Sequence, residues 1–148
     1  MTEKIIECVL LVDDSASTNF FNKKLIEISG NTKEVYTVEN GQQALDFILK
    51  KGKFINKNYA RPNIIFLDIN MPLMNGFEFL EEYAKLNFEN KEQIMIVVVT
   101  TSNRKKDKDK MLGTTLIYDF IEKPLTKKNL ERITEVYFQY YFNKQNTP

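Results

Sequence analysis

The sequence predicts an α/β protein built on an open, doubly wound parallel sheet, and three observations carry that prediction. Five short apolar runs recur along the 148 residues. Three of the five are nearly continuous aliphatic or β-branched residues, the composition of strands covered on both faces. Between the runs lie stretches whose apolar residues repeat at helical spacing. The resulting alternation, β-α-β-α-β-α-β-α-β-α, implies a sheet with right-handed crossovers and five flanking helices.

The elements follow in order. Ile5–Val12 (IIECVLLV) reads as the first strand, and Ser15 or Ser17 can cap the helix after it. Phe21, Leu25 and Ile28 mark that helix's apolar face, and Gly30 stands where a left-handed cap is wanted. Glu34–Val38 is the second strand; Leu45 and Ile48 mark the second helix, with Gly52 just beyond it. Lys53–Asn63 (KFINKNYARPN) reads as a longer polar connection, an exposed loop. Ile64–Leu67 is the third strand. Met71-Pro72 shapes the turn that follows, and Gly76 permits a tight approach of a third helix marked by Phe77, Leu80 and Ala84.

Ile94–Thr100 (IMIVVVT) is the fourth strand. The run Arg104–Lys110 (RKKDKDK) reads as a solvated face of a fourth helix, loosely held until Met111 and Leu112 and closed by Gly113. Leu116–Ile121 (LIYDFI) is the fifth strand, ended by Pro124 after Lys123. Leu130, Ile133 and Tyr137 mark the last helix. Tyr137, Phe138, Tyr140, Tyr141 and Phe142 cannot all face the core of one helix, so part of this group is expected at the surface. A single domain over residues 1–148 is expected, with a core of about residues 5–142 and a frayed tail at 143–148.

Composition excludes several function classes. Lys and Arg number 21 against 20 Asp and Glu, so a net charge of +1 supplies no global field to recruit nucleic acid or an anionic membrane. The chain has no His, which removes serine-triad chemistry, His-ligated zinc and histidine bases together. Its one cysteine, Cys8, allows no internal disulfide and sits in an apolar run, as a reduced, buried thiol would. The first residues, MTEKIIECVLLVDD, do not read as a signal peptide, and no apolar run approaches the ~20 residues that span a bilayer. A cytoplasmic location is expected.

In a doubly wound sheet, ligands bind outside the carboxyl ends of the strands. Those ends read Val12-Asp13-Asp14, Leu67-Asp68, Val99-Thr100-Thr101 and Ile121-Glu122-Lys123-Pro124. The topology therefore gathers three acids, one or two hydroxyls and an ammonium at one edge. Crowded carboxylates require a proton or a cation. Oxygen ligands without His or Cys point to Mg²⁺ or a similar ion, which often completes its shell with phosphate oxygens. A Thr hydroxyl and a Lys on the far side suit a tetrahedral dianion, with Asp68 available as an oxygen nucleophile.

LVDDS, FLDINMPLMNG, VVVTTS and IEKP resemble, in order, the four motifs of the receiver domain of bacterial two-component response regulators, over about residues 5–142. The resemblance implies a sheet of strand order 2-1-3-4-5. It implies that Asp68 accepts a phosphoryl group from a phosphohistidine on a sensor histidine kinase or phosphotransfer protein. By the same resemblance Asp14 binds Mg²⁺ directly, Asp13 usually acts through a metal-bound water, and Asn70 offers its backbone carbonyl to the metal. Thr100 matches the switch hydroxyl, Lys123 the phosphate contact and Phe120 the aromatic switch position. Asn70 and Ser102 flank the path of attacking water. A stand-alone receiver, monomeric or weakly dimeric, would then present an altered helix 4–strand 5–helix 5 face to a downstream protein.

Rival readings fare less well. An EF-hand beginning at Asp68 would need a bidentate Glu where Phe79 stands and an acid where Pro72 stands. No G-x-x-x-x-G-K-[ST] loop accompanies the acid-ended strand NIIFLD. A haloacid-dehalogenase-type aspartyl phosphatase would carry its second acid where Asn70 lies. A receiver-like binding module that never needs phosphate remains an alternative, but the complete set of acids, Thr and Lys argues against it.

Overall fold

The first strand, β1 (Ile6–Val12), divides its side chains between two layers, because successive residues of a strand point to opposite faces. Cys8, Leu10 and Val12 enter one core; Val9 and Leu11 enter the other. Beside it lie β2 (Thr32–Val38), β3 (Ile64–Leu67), β4 (Met95–Thr100) and β5 (Asp119–Glu122), all parallel, in the order β2-β1-β3-β4-β5. The computed structural model describes residues 4–101, 105–112 and 115–142. Gly113, Ser102, Arg104 and the tail at 143–148 lie outside the described residues.

Helices cover both faces. On one side α2 (Gly41–Leu49) and α3 (Gly76–Lys85) press Phe47, Ile48, Phe79, Leu80 and Tyr83 onto Leu10, Val12, Ile65, Leu67, Ile96 and Val98. On the other, α1 (Ala16–Ser29) and α5 (Lys127–Val136) place Ile26, Leu130 and Ile133 on Val9, Leu11, Phe66, Val97 and Val99. Four of these helices start on a side chain that accepts an otherwise unpaired N–H: Ser15 for α1, Asn40 for α2, Asn75 for α3 and Thr126 for α5. Asn75 forms a capping box with Glu78. The fourth crossover helix, α4 (Lys105–Leu112), reaches α3 through the Lys110 ammonium, 4.2 Å from the centre of the Phe77 ring.

Several expectations shift. The inward face of α1 holds Asn19 and Ile26, whereas Phe21 and Ile28 are 70% and 83% exposed. Asn19 is held inward by its hydrogen bonds to the Asp13 and Val38 carbonyls, and the Phe21–Leu25–Ile28 stripe lies outward with only Leu25 half-buried. In α3 the core face is Phe79, Leu80 and Tyr83, and Ala84 is exposed. Leu116–Tyr118 precede β5 and are not part of it. The register pairs Asp119 with Val97 and Glu122 with Thr100, so the strand runs to Glu122 while Leu116 and Ile117 pack against the core from a turn. The other strands lie within two residues of their expected bounds.

Gly30 closes α1 at φ 78°, as expected, but the left-handed cap of α2 is Lys50 at φ 56°. Gly52, at φ 57°, opens a short 3₁₀ turn (Gly52–Phe54) instead. That turn anchors the connection expected to be an exposed loop. Phe54 and Tyr59 are buried, Tyr59 stacks on Phe47 at 4.2 Å, and its hydroxyl donates to the Phe47 carbonyl at 2.6 Å. Aromatic residues too few to show any period thus tie the connection to the core. Of the terminal aromatic group, Tyr137 and Phe138 are buried, Tyr141 is half-buried and Tyr140 is exposed.

The approach of α3 to the end of β3 depends on Gly76. A Cβ there would stand 2.6 Å from the Asp68 carbonyl oxygen and 2.9 Å from Ile69 Cα, both backbone atoms that cannot swing aside. Gly76→Ala should therefore lower the unfolding free energy by about 2 kcal/mol, an overpacking cost, and urea unfolding checks it. A change under about 0.5 kcal/mol would show that α3 can retreat freely.

Candidate functional site

Strand order decides which side chains meet. β1 feeds β2 on one side and β3 lies on the other, so the chain reverses its direction of winding at β1 and opens a crevice beyond the strand ends. Asp13 and Asp14 leave β1 into that crevice and Asp68 leaves β3 beside them. Backbone bonds hold the exits: Asp13 N–H donates to the Val38 carbonyl at 3.1 Å and Asp68 N–H to the Val12 carbonyl at 2.9 Å. Further along, Lys123 N–H donates to the Thr100 carbonyl at 2.8 Å. This bond keeps the residue after β5 level with the end of β4.

The three acids offer ligand oxygens all within 4.8 Å of one another. Asp13 and Asp68 are buried and Asp14 is exposed. Between the two buried acids sits the Lys123 ammonium, 2.6 Å from Asp13 Oδ2 and 3.3 Å from Asp68 Oδ2. The remaining oxygens are also engaged. Asp13 Oδ1 accepts from Ser15 N–H at 2.9 Å, and Asp68 Oδ1 accepts from Ile69 N–H at 2.8 Å. Thr100 is wholly buried and its hydroxyl hydrogen-bonds the Asp68 carboxylate, while Thr101 beside it is exposed.

Charge is poised accordingly. Burial raises the Asp68 carboxyl above its ordinary range; Lys123 pulls it down, Asp13 pushes it up again, and the Thr100 and Lys123 hydrogen bonds lower it. Burial alone would lower Lys123, but Asp13 and Asp68 more than reverse this and hold the ammonium above its usual value. The structure thus gathers two acids, a hydroxyl and an ammonium in one hydrogen-bonded group, with Asp14 at its rim. A divalent cation suits this donor set, since all three acids offer hard oxygen ligands and Lys123 pairs with only two of them.

Two of the expected residues lie outside this hydrogen-bonded group. Asn70 is exposed two residues past Asp68, and Phe120 is half-buried on β5 against the core beneath α2 and α3. One residue was missed. Asn19, 5% exposed on α1, donates through Nδ2 to the Asp13 carbonyl at 2.8 Å and to the Val38 carbonyl at 3.3 Å. Apolar periodicity could not find it, because a polar residue carries no apolar signal. Elsewhere the buried Cys8 thiol is pushed up to about 12, by burial first and Glu34 second, so it is inert. No helix among the described residues is long and apolar enough to cross a membrane.

Comparison with known proteins gives a consistent picture. Residues 9–135 match the family model described as the response regulator receiver domain. The response regulator Rcp1 of Synechocystis sp. is 34% identical over 99 residues, covering 67% of this chain and 65% of that protein. A two-component response regulator from Cytophaga hutchinsonii has the same fold, with TM-score 0.78 and 25% identity over 91% of this chain and 98% of that one. The Mn²⁺-bound form of Rcp1 superposes at TM-score 0.65 with 25% identity, over 91% and 94% of the two chains. The chain spans less than two thirds of several curated relatives that it matches, for example 39% of a protein-glutamate methylesterase from Clostridium acetobutylicum.

The raised Asp68 carboxyl has a consequence for stability. An acid held above its ordinary value binds its proton more tightly folded than unfolded, so folding loses stability as pH rises through the folded value. Asp68→Asn removes that cost. Its urea midpoint should exceed that of the wild type at pH 7, and the gain should shrink as pH falls through the carboxylate range. A lower midpoint at pH 7 would mean that the Lys123 contact outweighs burial.

Proposed function

The chain belongs to the response regulator receiver family, and from that premise we propose that Asp68 accepts a phosphoryl group from a kinase phosphohistidine. A receiver domain is a signalling phosphoacceptor and not a turnover enzyme, and its membership implies a histidine kinase as partner. The observation that carries the proposal is the set around one carboxylate. Asp68 lies at the end of β3 with Lys123 at 3.3 Å, Thr100 hydrogen-bonded to it, and Asp13 and Asp14 within 4.8 Å.

Transfer proceeds in line. An Asp68 carboxylate oxygen forms a bond to phosphorus as the phosphorus–nitrogen bond of the phosphohistidine breaks and the imidazole leaves with the electron pair. Asp13, Asp14, Asp68 and the Asn70 carbonyl are the groups that would hold Mg²⁺, which when bound offsets charge on the transferring phosphoryl group. Lys123 begins on the carboxylates and turns to a phosphoryl oxygen, exchanging one anionic partner for another. Thr100, already buried against Asp68, donates its hydroxyl to a second phosphoryl oxygen. Asn70 and Ser102 are the positions proposed to set how long the acyl phosphate lasts.

The output follows from the displaced hydroxyl. As Thr100 engages the phosphoryl oxygen, Phe120 moves into the space beside it, and the face formed by α4, β5 and α5 changes its affinity for a downstream protein. Helix α4 suits that role because its described side chains, Lys105 to Lys110, stay largely at the surface, held to α3 by Lys110 on Phe77. We assign the chain to the cytoplasm as one receiver unit, monomeric or weakly dimeric, with no direct contact to nucleic acid.

Intact-mass measurement after incubation with Mg²⁺ and a small acyl phosphate tests the reading. The wild type should gain one phosphoryl group, and Asp68→Asn none. Lys123→Met should cut the rate of labelling by about 10²-fold, the effect of removing one electrostatic contact to a developing charge. Absence of any adduct on the wild type would favour a receiver-like binding module that never takes phosphate.

A further inference from the structure

Asp14 is the one acid of the three whose carboxylate makes no hydrogen bond or ion pair among the described residues. Asp13 is fixed by Lys123 and Ser15, and Asp68 by Lys123, Thr100 and Ile69. The position of Asp14 therefore rests on its backbone. The peptide that joins it to Asp13 is gripped at its carbonyl by Asn19 Nδ2 at 2.8 Å. The same amide reaches the Val38 carbonyl at 3.3 Å, which also accepts the Asp13 N–H at 3.1 Å. These bonds close a ring in which Asn19 ties the acid-bearing turn to the end of β2.

The amide is held there at a cost. Asn19 Oδ1 is buried with no hydrogen-bond partner among the described residues. Turning the amide over would not help, because both facing atoms are carbonyl oxygens and only the NH₂ end can donate to them. A buried acceptor left unpaired is destabilising, and the two donations from Nδ2 to the Asp13 and Val38 carbonyls are what set against that cost.

We propose that Asn19 is a positioning residue for the cation site: by holding the Asp13 carbonyl it fixes where Asp14 presents its carboxylate. The proposal rests on the reading of Asp13, Asp14 and Asp68 as ligands of a divalent cation. Asn19 touches neither the metal nor the phosphoryl group; it acts through Asp14.

Mn²⁺ binding, followed by the electron paramagnetic resonance signal of the free ion, tests this without any phosphorylation. Asn19→Leu keeps the side-chain volume and removes both donors, and should weaken Mn²⁺ binding roughly fivefold, the size of one hydrogen bond. Asn22→Leu, on the same helix with no hydrogen bond among the described residues, should bind within about twofold of the wild type. In a double-mutant cycle, adding Asn19→Leu to Asp14→Asn should cost almost nothing further, because the residue that Asn19 positions is already disabled. Far-UV circular dichroism and urea unfolding confirm that each variant is folded, and Asn19→Ala replaces Asn19→Leu in the cycle should the latter not fold.

Wild-type affinity in Asn19→Leu, an equal loss in Asn22→Leu, or a loss fully additive with that of Asp14→Asn would overturn the positioning role alone. No Mn²⁺ binding by the wild type would overturn the cation-site reading, and this inference with it.

Discussion

Everything at the carboxyl edge depends on one ammonium. Asp13 and Asp68 are buried with oxygens close enough to share a ligand, and two carboxylates so placed repel strongly when little water reaches them. Lys123 stands between them and offsets that repulsion. It comes from the far edge strand, so the charge balance of β1 and β3 is supplied across β4. The backbone bond from Lys123 to Thr100 and the parallel register of β4 with β5 make that reach possible. The sheet order is thus part of the electrostatics: in another order this cation would not arrive.

Much of this was legible in the sequence, for physical reasons. Strands buried on both faces are nearly continuous apolar runs, and those runs set four strands to within two residues. The acids, Thr100 and Lys123 follow directly from the strand ends, because topology fixes which ends share an edge. Faces of helices were harder. The apolar period of α1 marks residues that lie at the surface, where Phe20 and Phe21 meet edge-to-face, while an asparagine takes the inward place. Periodicity assumes that apolar residues are the buried ones, and a helix that serves a polar site breaks the assumption. Strand β5 was misplaced for a related reason. Leu116 and Ile117 are apolar because they pack from a turn, while the strand itself carries Asp119 and Glu122.

The same glycine joins fold to site. Gly76 lets α3 approach the backbone of Asp68 and Ile69 within van der Waals contact, and its N–H donates to the Ile69 carbonyl at 2.8 Å. The stretch between them, with exposed Asn70 and Pro72, is consequently pinned at both ends. Asp68 keeps its place because α3 does, and α3 keeps its place through the Asn75 capping box and the Phe79–Tyr83 face. A substitution at Gly76 or in the core face of α3 can therefore disturb the carboxylate.

The two edges of the sheet carry charge. On one side β2 bears Lys33, paired with Glu7, and Glu34, which accepts from the Tyr36 hydroxyl. On the other, β5 is four residues long and opens on Asp119, bound by Arg132. Short or charged margins discourage a foreign strand from extending the ladder. Such margins guard the sheet against pairing edge to edge with another copy.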